Sequence, residues 1–316
     1  MFNKVRIKHL ENPNITTFVN GKQITIRNHQ AEVDIEDAKA MMSGPYGYEL
    51  IGVYDNFIEY VNKIDLNIQT YKQNAPFPSV ILGTPIALTK LYCWKTYTES
   101  ILNLEQREKM HLVFTLDDPL SQWKEEIISW CKNNAEKFYN ITTIEWDADK
   151  NMAWNRVFKI TVGRQLIFNY TRSLHSASHV WFVDLDNVLP IFAYTRLSGY
   201  VREASAGLYR FKSVMGGGPV VFDGIGTKTW PPIFIGKQCS DVKPNTGTLE
   251  CDWTGAGCLL LSRRIFEKYD FNWSKWIQRN GEDAWMCLCA QKETGQKLLV
   301  DTSVNCGHID EQGHIW

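Results

Sequence analysis

The sequence lacks three features that would place it in a specialised class of protein. It has no run of 18 apolar residues, so no transmembrane helix is predicted. Its first residues lack the charged and apolar regions of a signal peptide. It also lacks an excess of either charge, since 34 Lys and Arg face 35 Asp and Glu. A surface devoted to nucleic-acid phosphates is therefore disfavoured, and we expect a soluble, cytoplasmic protein.

The eight cysteines form no metal-binding pattern. None lies in a C-x₂-C pair, and Cys287 and Cys289 lie two apart in a predicted helix, where their side chains diverge. We interpret most of them as buried thiols of a protein in a reducing compartment. The 44% hydrophobic and 22% charged residues are typical of a globular protein, and 316 residues suggest one large domain with an appendage, or two domains.

The hydrophobic pattern divides the chain into three parts. Within residues 1–57, Asn20-Gly21 between two alternating segments predicts a β-hairpin, and further short strands predict a small β-rich accessory module. Residues 58–78 are predicted to be a linker with a short helix. Residues 79–316 alternate strand and helix patterns, which predicts an α/β domain with a mostly parallel sheet flanked by helices. Deleting residues 1–57 is therefore expected to leave a folded domain.

The segment of residues 179–190 is the most informative stretch. An apolar, partly β-branched run leads into Asp184 and Asp186, which predicts a buried strand with two carboxylates at its end. Ligands of open α/β sheets bind beyond the carboxyl ends of the strands. In an extended chain, residues two apart point to the same side, so both carboxylates are expected to face one site. Such oxygen donors suit Mg²⁺ or Mn²⁺, although Asp is also common in turns that bind nothing.

Two later segments add further candidates. Glu282 and Asp283 open a predicted helix, where the helix dipole favours ionised carboxylates and is expected to keep Asp283 ready to accept a proton. His308 follows a predicted strand and, as a neutral imidazole, could complete a metal site built on carboxylates. A lone histidine is more often an ordinary core or surface residue, so this pattern alone leaves both interpretations open.

Taken in chain order, these segments resemble the nucleotide-sugar glycosyltransferases of the GT-A fold, and most nearly the family 2-like enzymes. The resemblance covers about residues 79–310. It rests on residues 81–85, the helix that contains Arg164, and residues 183–186, 254–257, 281–283 and 307–308. Residues 1–57 and the irregular segment 191–250 lie outside the pattern.

The resemblance implies a donor side that binds a nucleotide sugar, expected to be UDP- or GDP-linked. Asp184 would contact the ribose or the metal, Asp186 would bind Mn²⁺ or Mg²⁺, and His308 would be its later ligand. The cation would offset the charge that develops on the diphosphate leaving group. The nucleotide pocket would be lined by Thr84, Pro85, Asp117 and Arg164, the last supporting the diphosphate or Asp184.

The resemblance also implies an acceptor side. Asp283 would take the proton from an acceptor hydroxyl, while Glu282 and Trp253 would hold the acceptor. A base opposite the leaving group fits a single in-line displacement, which favours inversion of the sugar configuration. The acceptor could be a glycan, a protein, a lipid-linked sugar or a modified DNA base, and the sequence does not choose among them.

Two other functions remain open at this point. A nucleotidyltransferase acting on a nucleoside triphosphate uses a similar sheet, but residues 83–87 are not the glycine-rich, basic phosphate loop that it would need. A non-catalytic binding or structural protein could dock through residues 1–57. The joint presence of Asp184, Asp186, Asp283 and His308 argues against that second alternative.

Overall fold

The computed structural model describes residues 4–9, 14–27, 30–34, 37, 41, 48–51, 57–72, 80–117, 123–148, 156–174, 176–211, 218–226, 234–238, 241–271 and 281–315. The helices are α1 Phe57–Asn62, α2 Trp94–Leu102, α3 Lys124–Asn134, α4 Arg156–Ser173, α5 Ala193–Ser198, α6 Arg263–Lys268 and α7 Glu282–Thr294. The strands are β1 Lys4–His9, β2 Ile15–Val19, β3 Lys22–Ile26, β4 Gln30–Asp34, β5 Tyr48–Ile51, β6 Asn67–Thr70, β7 Val80–Ile86, β8 Met110–Leu116, β9 Asn140–Glu145, β10 His179–Val183, β11 Asn187–Val188, β12 Ala204–Phe211, β13 Gly218–Pro219, β14 Val221–Gly226, β15 Phe234–Gln238, β16 Thr248–Cys251, β17 Trp253–Thr254, β18 Cys258–Ser262 and β19 Leu298–His308.

An 11-stranded mixed sheet forms the centre of the molecule. Its main order is β11-β19-β12-β18-β10-β7-β8-β9-β6, with β13 and β16 paired to β12 and β19. The strands β10, β7, β8 and β9 are parallel neighbours, as the alternating strand and helix pattern predicted. The strand β18 runs antiparallel to β10 and joins this parallel part to the rest of the sheet. The predicted α/β fold with a sheet flanked by helices is therefore confirmed.

Two apolar layers cover the two faces of the sheet. Trp181 packs into the layer formed with α2, α3 and α5, and its neighbour Phe182 packs into the opposite layer with α4, α6 and α7. This alternation follows from the pleat of a strand, which sends successive side chains to opposite faces. The seven cysteines within the described ranges are buried free thiols. No helix in those ranges is long and apolar enough to cross a membrane.

The N-terminal residues form small antiparallel sheets. The strands β4, β1 and β5 form one of them, and β2 and β3 form a hairpin. Asn20 and Gly21 connect the hairpin strands with φ of 50° and 75°, the left-handed values that a tight hairpin turn requires. The predicted hairpin and the small β-rich module are thus confirmed, while the independence of residues 1–57 stays a prediction.

The segment predicted to be a linker contributes two elements to the main fold. β6 pairs with β9 and closes one edge of the central sheet. Phe57 at the start of α1 is buried, and its ring meets Phe158 of α4 edge to face at 5.8 Å. Low hydrophobicity hid β6 from the sequence pattern, because an edge strand has fewer apolar neighbours than a central one.

Two truncated chains are expected to behave differently. A chain that begins at Phe57 keeps β6 and the Phe57 ring, so we expect it to unfold cooperatively, with a lower Tm because it loses the buried Ile24, Ile26 and Val33. A chain that begins at Val80 exposes the edge of β9 and uncovers Phe158, which costs about 3–5 kcal/mol for a lost Phe alone. The Tm of each truncated chain is compared with that of the full chain by thermal unfolding. Recovery of the first chain only as aggregate would show that the N-terminal module completes the main core.

Candidate functional site

The polar residues predicted to form the site lie where the parallel strands end. Asp184 and Asp186 follow β10, and Asp117 follows β8, its neighbour but one in the sheet. His308 is the last residue of β19 instead of following the strand, and it pairs with Asn187 of β11. Carboxyl ends of neighbouring parallel strands meet at one edge, so β10 and β8 deliver their carboxylates to the same side of the sheet.

The chain turns directly after β10. The backbone N–H of Asn187 donates to the carbonyl of Asp184 at 3.0 Å, and the Asn187 side chain donates to the carbonyl of Gly257 at 2.9 Å. The expected extended stretch from Asp184 to Asp186 is therefore wrong. A turn removes the two-residue periodicity of a strand, and the two carboxylates have different partners.

Arg164 holds the first carboxylate. Its side chain is buried, Nη2 donates to Asp184 Oδ1 at 2.7 Å, and Nη1 donates to Glu282 Oε1. Gly163 explains how α4 brings this residue to the strand ends, because a Cβ at Gly163 would lie 2.7 Å from Thr115 Oγ1 of β8. One guanidinium thus joins the turn after β10 to the start of α7. Arg164 thus forms a salt bridge with Asp184, and its predicted role in the nucleotide site, including a contact with a diphosphate, stays a prediction.

A second cluster surrounds the other carboxylate. Lys90, from the 3₁₀ helix Leu88–Cys93, forms a salt bridge with Asp186 Oδ2, and His308 Nε2 lies 3.2 Å from the same oxygen. Burial alone would raise the pKa of Asp186. The hydrogen bond with His308 and the Lys90 ammonium outweigh it and hold that pKa below its usual value. Asp186 is therefore an ionised, largely buried carboxylate with two nitrogen partners.

The two carboxyl groups at the start of α7, those of Glu282 and Asp283, have raised pKa values. Burial is the main cause that raises the pKa of Glu282, to about 7, and it also raises the pKa of Asp283, while Arg164 lowers both. The sequence predicts that the helix dipole favours the ionised form of Asp283; burial acts in the opposite direction and raises its pKa, and the role of Asp283 as a base stays a prediction. A carboxylate with a raised pKa is a stronger base near neutral pH, which is the property that general-base chemistry requires.

The backbone conformation before this pair favours glycine. Gly281 has φ of 91°, and a Cβ there would lie 2.5 Å from Asp283 Oδ1. Asp283 Oδ1 in turn accepts a hydrogen bond from the Ala284 N–H at 2.7 Å. This arrangement fixes the direction of the Asp283 side chain and gives a physical reason for glycine at the first position of the Gly-Glu-Asp segment.

Tyr209 of β12 fills the space between these groups and the segment of residues 254–257. Its hydroxyl accepts a long hydrogen bond of 3.4 Å from the Gly257 N–H. Burial raises the pKa of Tyr209 well above its usual value, and the charges of Asp184 and Asp283 raise it further. The Tyr209 phenol is therefore neutral, and both neighbouring carboxylates contribute to keeping it so.

Replacing Gly255 by alanine is expected to destabilise the protein. The added Cβ would lie 1.7 Å from the Tyr209 hydroxyl, so one of the two segments must move. Overpacking of this kind costs about 1–3 kcal/mol. Thermal unfolding should show a smaller loss when Gly255→Ala is combined with Tyr209→Phe, since the second change removes the clashing oxygen. Equal losses with and without the Tyr209 hydroxyl would contradict this explanation.

The residues predicted to line the nucleotide pocket differ in how deeply they are buried. Thr84 is fully buried, with Oγ1 2.5 Å from the Tyr97 hydroxyl. Pro85 lies inside β7, opposite Thr115, at a point where β10 has already ended, so the missing N–H of proline interrupts no pair with β10. The Asp117 carboxylate is buried 3.5 Å from Lys159. All three lie at the ends of β7 and β8, and their contact with a nucleotide stays a prediction.

The residues predicted on the acceptor side are also separated. Glu282 is buried against Arg164, so its carboxylate already has a strong partner. Trp253 is half-buried in β17 and pairs across to β14. The structure brings Glu282 beside Asp283 at the start of α7. Their part in holding an acceptor remains a prediction.

The donor set around Asp186 is suited to a divalent cation in part. Adjacent ligands of an octahedral ion at about 2.1 Å lie about 3 Å apart, and Asp186 Oδ2 and His308 Nε2 are 3.2 Å apart. The buried Nδ1 of His308 has no hydrogen-bond partner. Within the described ranges no three His, Cys, Asp or Glu side chains form a group that could hold a metal ion, and Asp184 is held by Arg164. Two protein ligands therefore fit, and a bound phosphate would have to supply others.

Two residues of the site escaped the sequence analysis. Lys90 and Tyr209 carry no motif, because each reaches the site from a different element through the tertiary fold. A lysine four residues after the end of β7 gives no spacing signal. The glycines at 255 and 257 were a usable sign that a bulky side chain crosses that segment, although they do not say which one.

Comparison with known proteins gives weak structural likenesses. No protein-family model matches the sequence, and no protein with a curated description matches it either. The chain is similar to A197 from STIV at 13% identity and TM-score 0.38, over 65% of this chain and 91% of that one. It is similar to S. aureus TarS 1-349 at 10% identity and TM-score 0.48, over 72% of this chain and 59% of that one.

One structure similar to this chain contains a nucleotide sugar. It is S. aureus TarS 1-349 in complex with UDP-GlcNAc, at 9% identity and TM-score 0.46, over 72% of this chain and 57% of that one. The chain thus spans less than two thirds of the TarS chains that it matches. Likenesses of this strength leave the function to be argued from the residues of the site.

Proposed function

We propose that the protein transfers a sugar from a nucleotide-sugar donor to an acceptor hydroxyl, with inversion and with a divalent cation. One observation carries the proposal. Arg164 joins Asp184, two residues before Asp186, to Glu282, the chain neighbour of Asp283 at the start of α7. Two acidic centres with different chemistry therefore lie side by side, as a donor site and a proton-accepting site must.

The first centre suits the donor. Asp186 Oδ2 and His308 Nε2 would hold Mn²⁺ or Mg²⁺, whose remaining positions phosphate oxygens and water would fill. The cation would supply charge neutralisation for the diphosphate that leaves. Asp184, half-exposed and held by Arg164, would accept a hydrogen bond from the ribose. Thr84, Pro85 and Asp117 would lie along the nucleoside.

The second centre suits the acceptor. Asp283 is fixed by Gly281 and Ala284 and has a raised pKa, so it would accept the hydroxyl proton as the new glycosidic bond forms. Glu282 remains bonded to Arg164 and would keep the two centres at a constant separation. Trp253 would offer an aromatic face to an acceptor sugar. The acceptor class is a glycan, a protein, a lipid-linked sugar or a modified DNA base.

Product analysis tests this function against nucleotidyl transfer. The protein is incubated with Mn²⁺ and a panel of UDP- and GDP-sugars, beginning with UDP-GlcNAc, and separately with nucleoside triphosphates and sugar phosphates. Slow release of a nucleoside diphosphate and free sugar from one donor is expected, together with its loss in excess EDTA. Release of pyrophosphate from a triphosphate would favour a nucleotidyltransferase instead. Absence of any turnover and of any nucleotide binding would favour a non-catalytic protein.

A further inference from the structure

Lys90, Asp186 and His308 form the cluster on the proposed donor side. The proposed chemistry gives a role to Asp186 and His308 but none to Lys90. Its ammonium forms a salt bridge with Asp186 Oδ2, the same oxygen that lies 3.2 Å from His308 Nε2. The Lys90 side chain is 18% exposed and that of Asp186 only 7%, so water screens the pair weakly. A positive charge already occupies the position next to the two candidate metal ligands.

An ammonium and a divalent cation cannot share this oxygen at low cost. Asp186 supplies the carboxylate that both Lys90 and His308 contact, and the Asp184 carboxylate two residues earlier is held by Arg164. Two cations within a few ångström of one carboxylate repel each other, and partial burial strengthens that repulsion. A divalent ion that arrives alone must therefore displace Lys90 and leave its ammonium without a carboxylate.

A diphosphate changes this balance of charge. Its oxygens add negative charge beside the cluster, so the metal can bind Asp186 while the Lys90 ammonium moves to a phosphate oxygen. Lysine is suited to the exchange because its charge sits on a flexible four-carbon stem. The 3₁₀ helix Leu88–Cys93 directly follows β7, so Lys90 starts from the same strand end at which the nucleoside is expected.

We propose that Lys90 is a resident counter-ion of Asp186 that excludes a divalent cation until a nucleoside diphosphate group is bound. The inference rests on the proposed function for the identity of that ligand. It makes metal and nucleotide binding cooperative, and thermodynamic reciprocity requires each to tighten the other by the same factor. Lys90 would then set the order of loading and keep the empty enzyme free of metal.

Titration of Mn²⁺ into the protein, followed by the electron paramagnetic resonance signal of the free ion, measures the Mn²⁺ affinity on which this proposal depends. Wild type, Lys90→Met and Lys90→Arg are titrated with and without UDP. Lys124→Met is the matched control, because Lys124 is 24% exposed and pairs with the buried Glu145 at 2.8 Å at the end of β9. Thermal unfolding of each variant accompanies the titrations.

Without UDP, Lys90→Met is expected to bind Mn²⁺ about tenfold or more tightly than wild type, a coupling of ordinary size between neighbouring sites. Lys90→Arg, which keeps the charge, and Lys124→Met should behave as wild type. UDP should tighten Mn²⁺ binding strongly in wild type and much less in Lys90→Met. The wild-type comparison alone remains informative if a Lys90 variant does not fold.

Two results would overturn the inference and leave the proposed function intact. One is equal Mn²⁺ affinity of wild type and folded Lys90→Met without UDP, while both bind Mn²⁺ with UDP. The other is a wild-type protein whose Mn²⁺ affinity is the same with and without UDP. A wild-type protein that binds no Mn²⁺ even with UDP would contradict the metal of the proposed function itself, and with it any role for Lys90 in excluding an ion.

Discussion

Replacing Asp186 by alanine should abolish Mn²⁺-dependent nucleotide binding and reduce donor turnover by about 10³-fold, since metal stabilisation of a leaving group amounts to several kcal/mol and each 1.4 kcal/mol is about tenfold. Asp186 supplies the oxygen on which His308 and Lys90 converge. Without that oxygen, His308 is the only remaining protein ligand of the proposed ion. Calorimetry of UDP with Mn²⁺, beside a turnover assay, measures both effects.

Asp270→Asn is a suitable control for this variant. Asp270 also pairs with an arginine, Arg172, but Asp270 follows α6 and Arg172 lies in the last turn of α4, more than one turn beyond Arg164. The control should bind UDP and Mn²⁺ as wild type does. Full turnover of wild type in excess EDTA, or metal-dependent UDP binding by Asp186→Ala, would contradict the proposed metal site.

Replacing Asp283 by asparagine should lower kcat by a factor of about 10²–10⁴, the usual range for loss of a general base. Asparagine keeps the size of the side chain and removes its basicity. Donor affinity should change little, because the proposed donor contacts lie on Asp184, Asp186 and His308. Transfer kinetics and UDP calorimetry on the same preparation separate the two quantities.

The pH dependence offers a second measurement of the same role. Because burial raises the pKa of Asp283, the base is lost to protonation at a higher pH than an ordinary aspartate, whose pKa is 3.8. Wild-type activity should therefore fall as pH decreases through that raised value, and Asp283→Asn should lose this dependence. An inflection near pH 7 that survives in Asp283→Asn but not in Glu282→Gln would assign the base to Glu282, whose pKa is about 7.

The sequence was sufficient to predict the strands and helices that carry this site, but not how the side chains of the site are arranged. A continuous apolar run is sufficient to identify β10, because burial on both faces leaves no polar positions. Asn20-Gly21 is likewise sufficient for the hairpin, since few other residues adopt left-handed φ. These predictions depend on local sequence, which is why they were correct.

The incorrect and missing predictions depend on tertiary contacts. The turn after β10 is stabilised by Gly257, which lies about seventy residues away along the chain, through hydrogen bonds from Asp184 and Asn187. The raised pKa of Asp283 comes from burial, which a helix start in the sequence does not reveal. Lys90 meets Asp186 because the pairing of β7 with β10 brings the ends of the two strands together. Local patterns cannot supply such contacts.

Hydrogen exchange with a bound donor tests the central claim most directly. The donor that turns over, added with Mn²⁺, should slow amide exchange in peptides covering residues 184–188 and 305–310, and in residues 84–93, while peptides covering α3 stay unchanged. Asp186→Ala should show none of this protection. Donor-dependent protection that leaves these segments unchanged, or that is the same in Asp186→Ala, would contradict a donor site at the carboxyl end of β10.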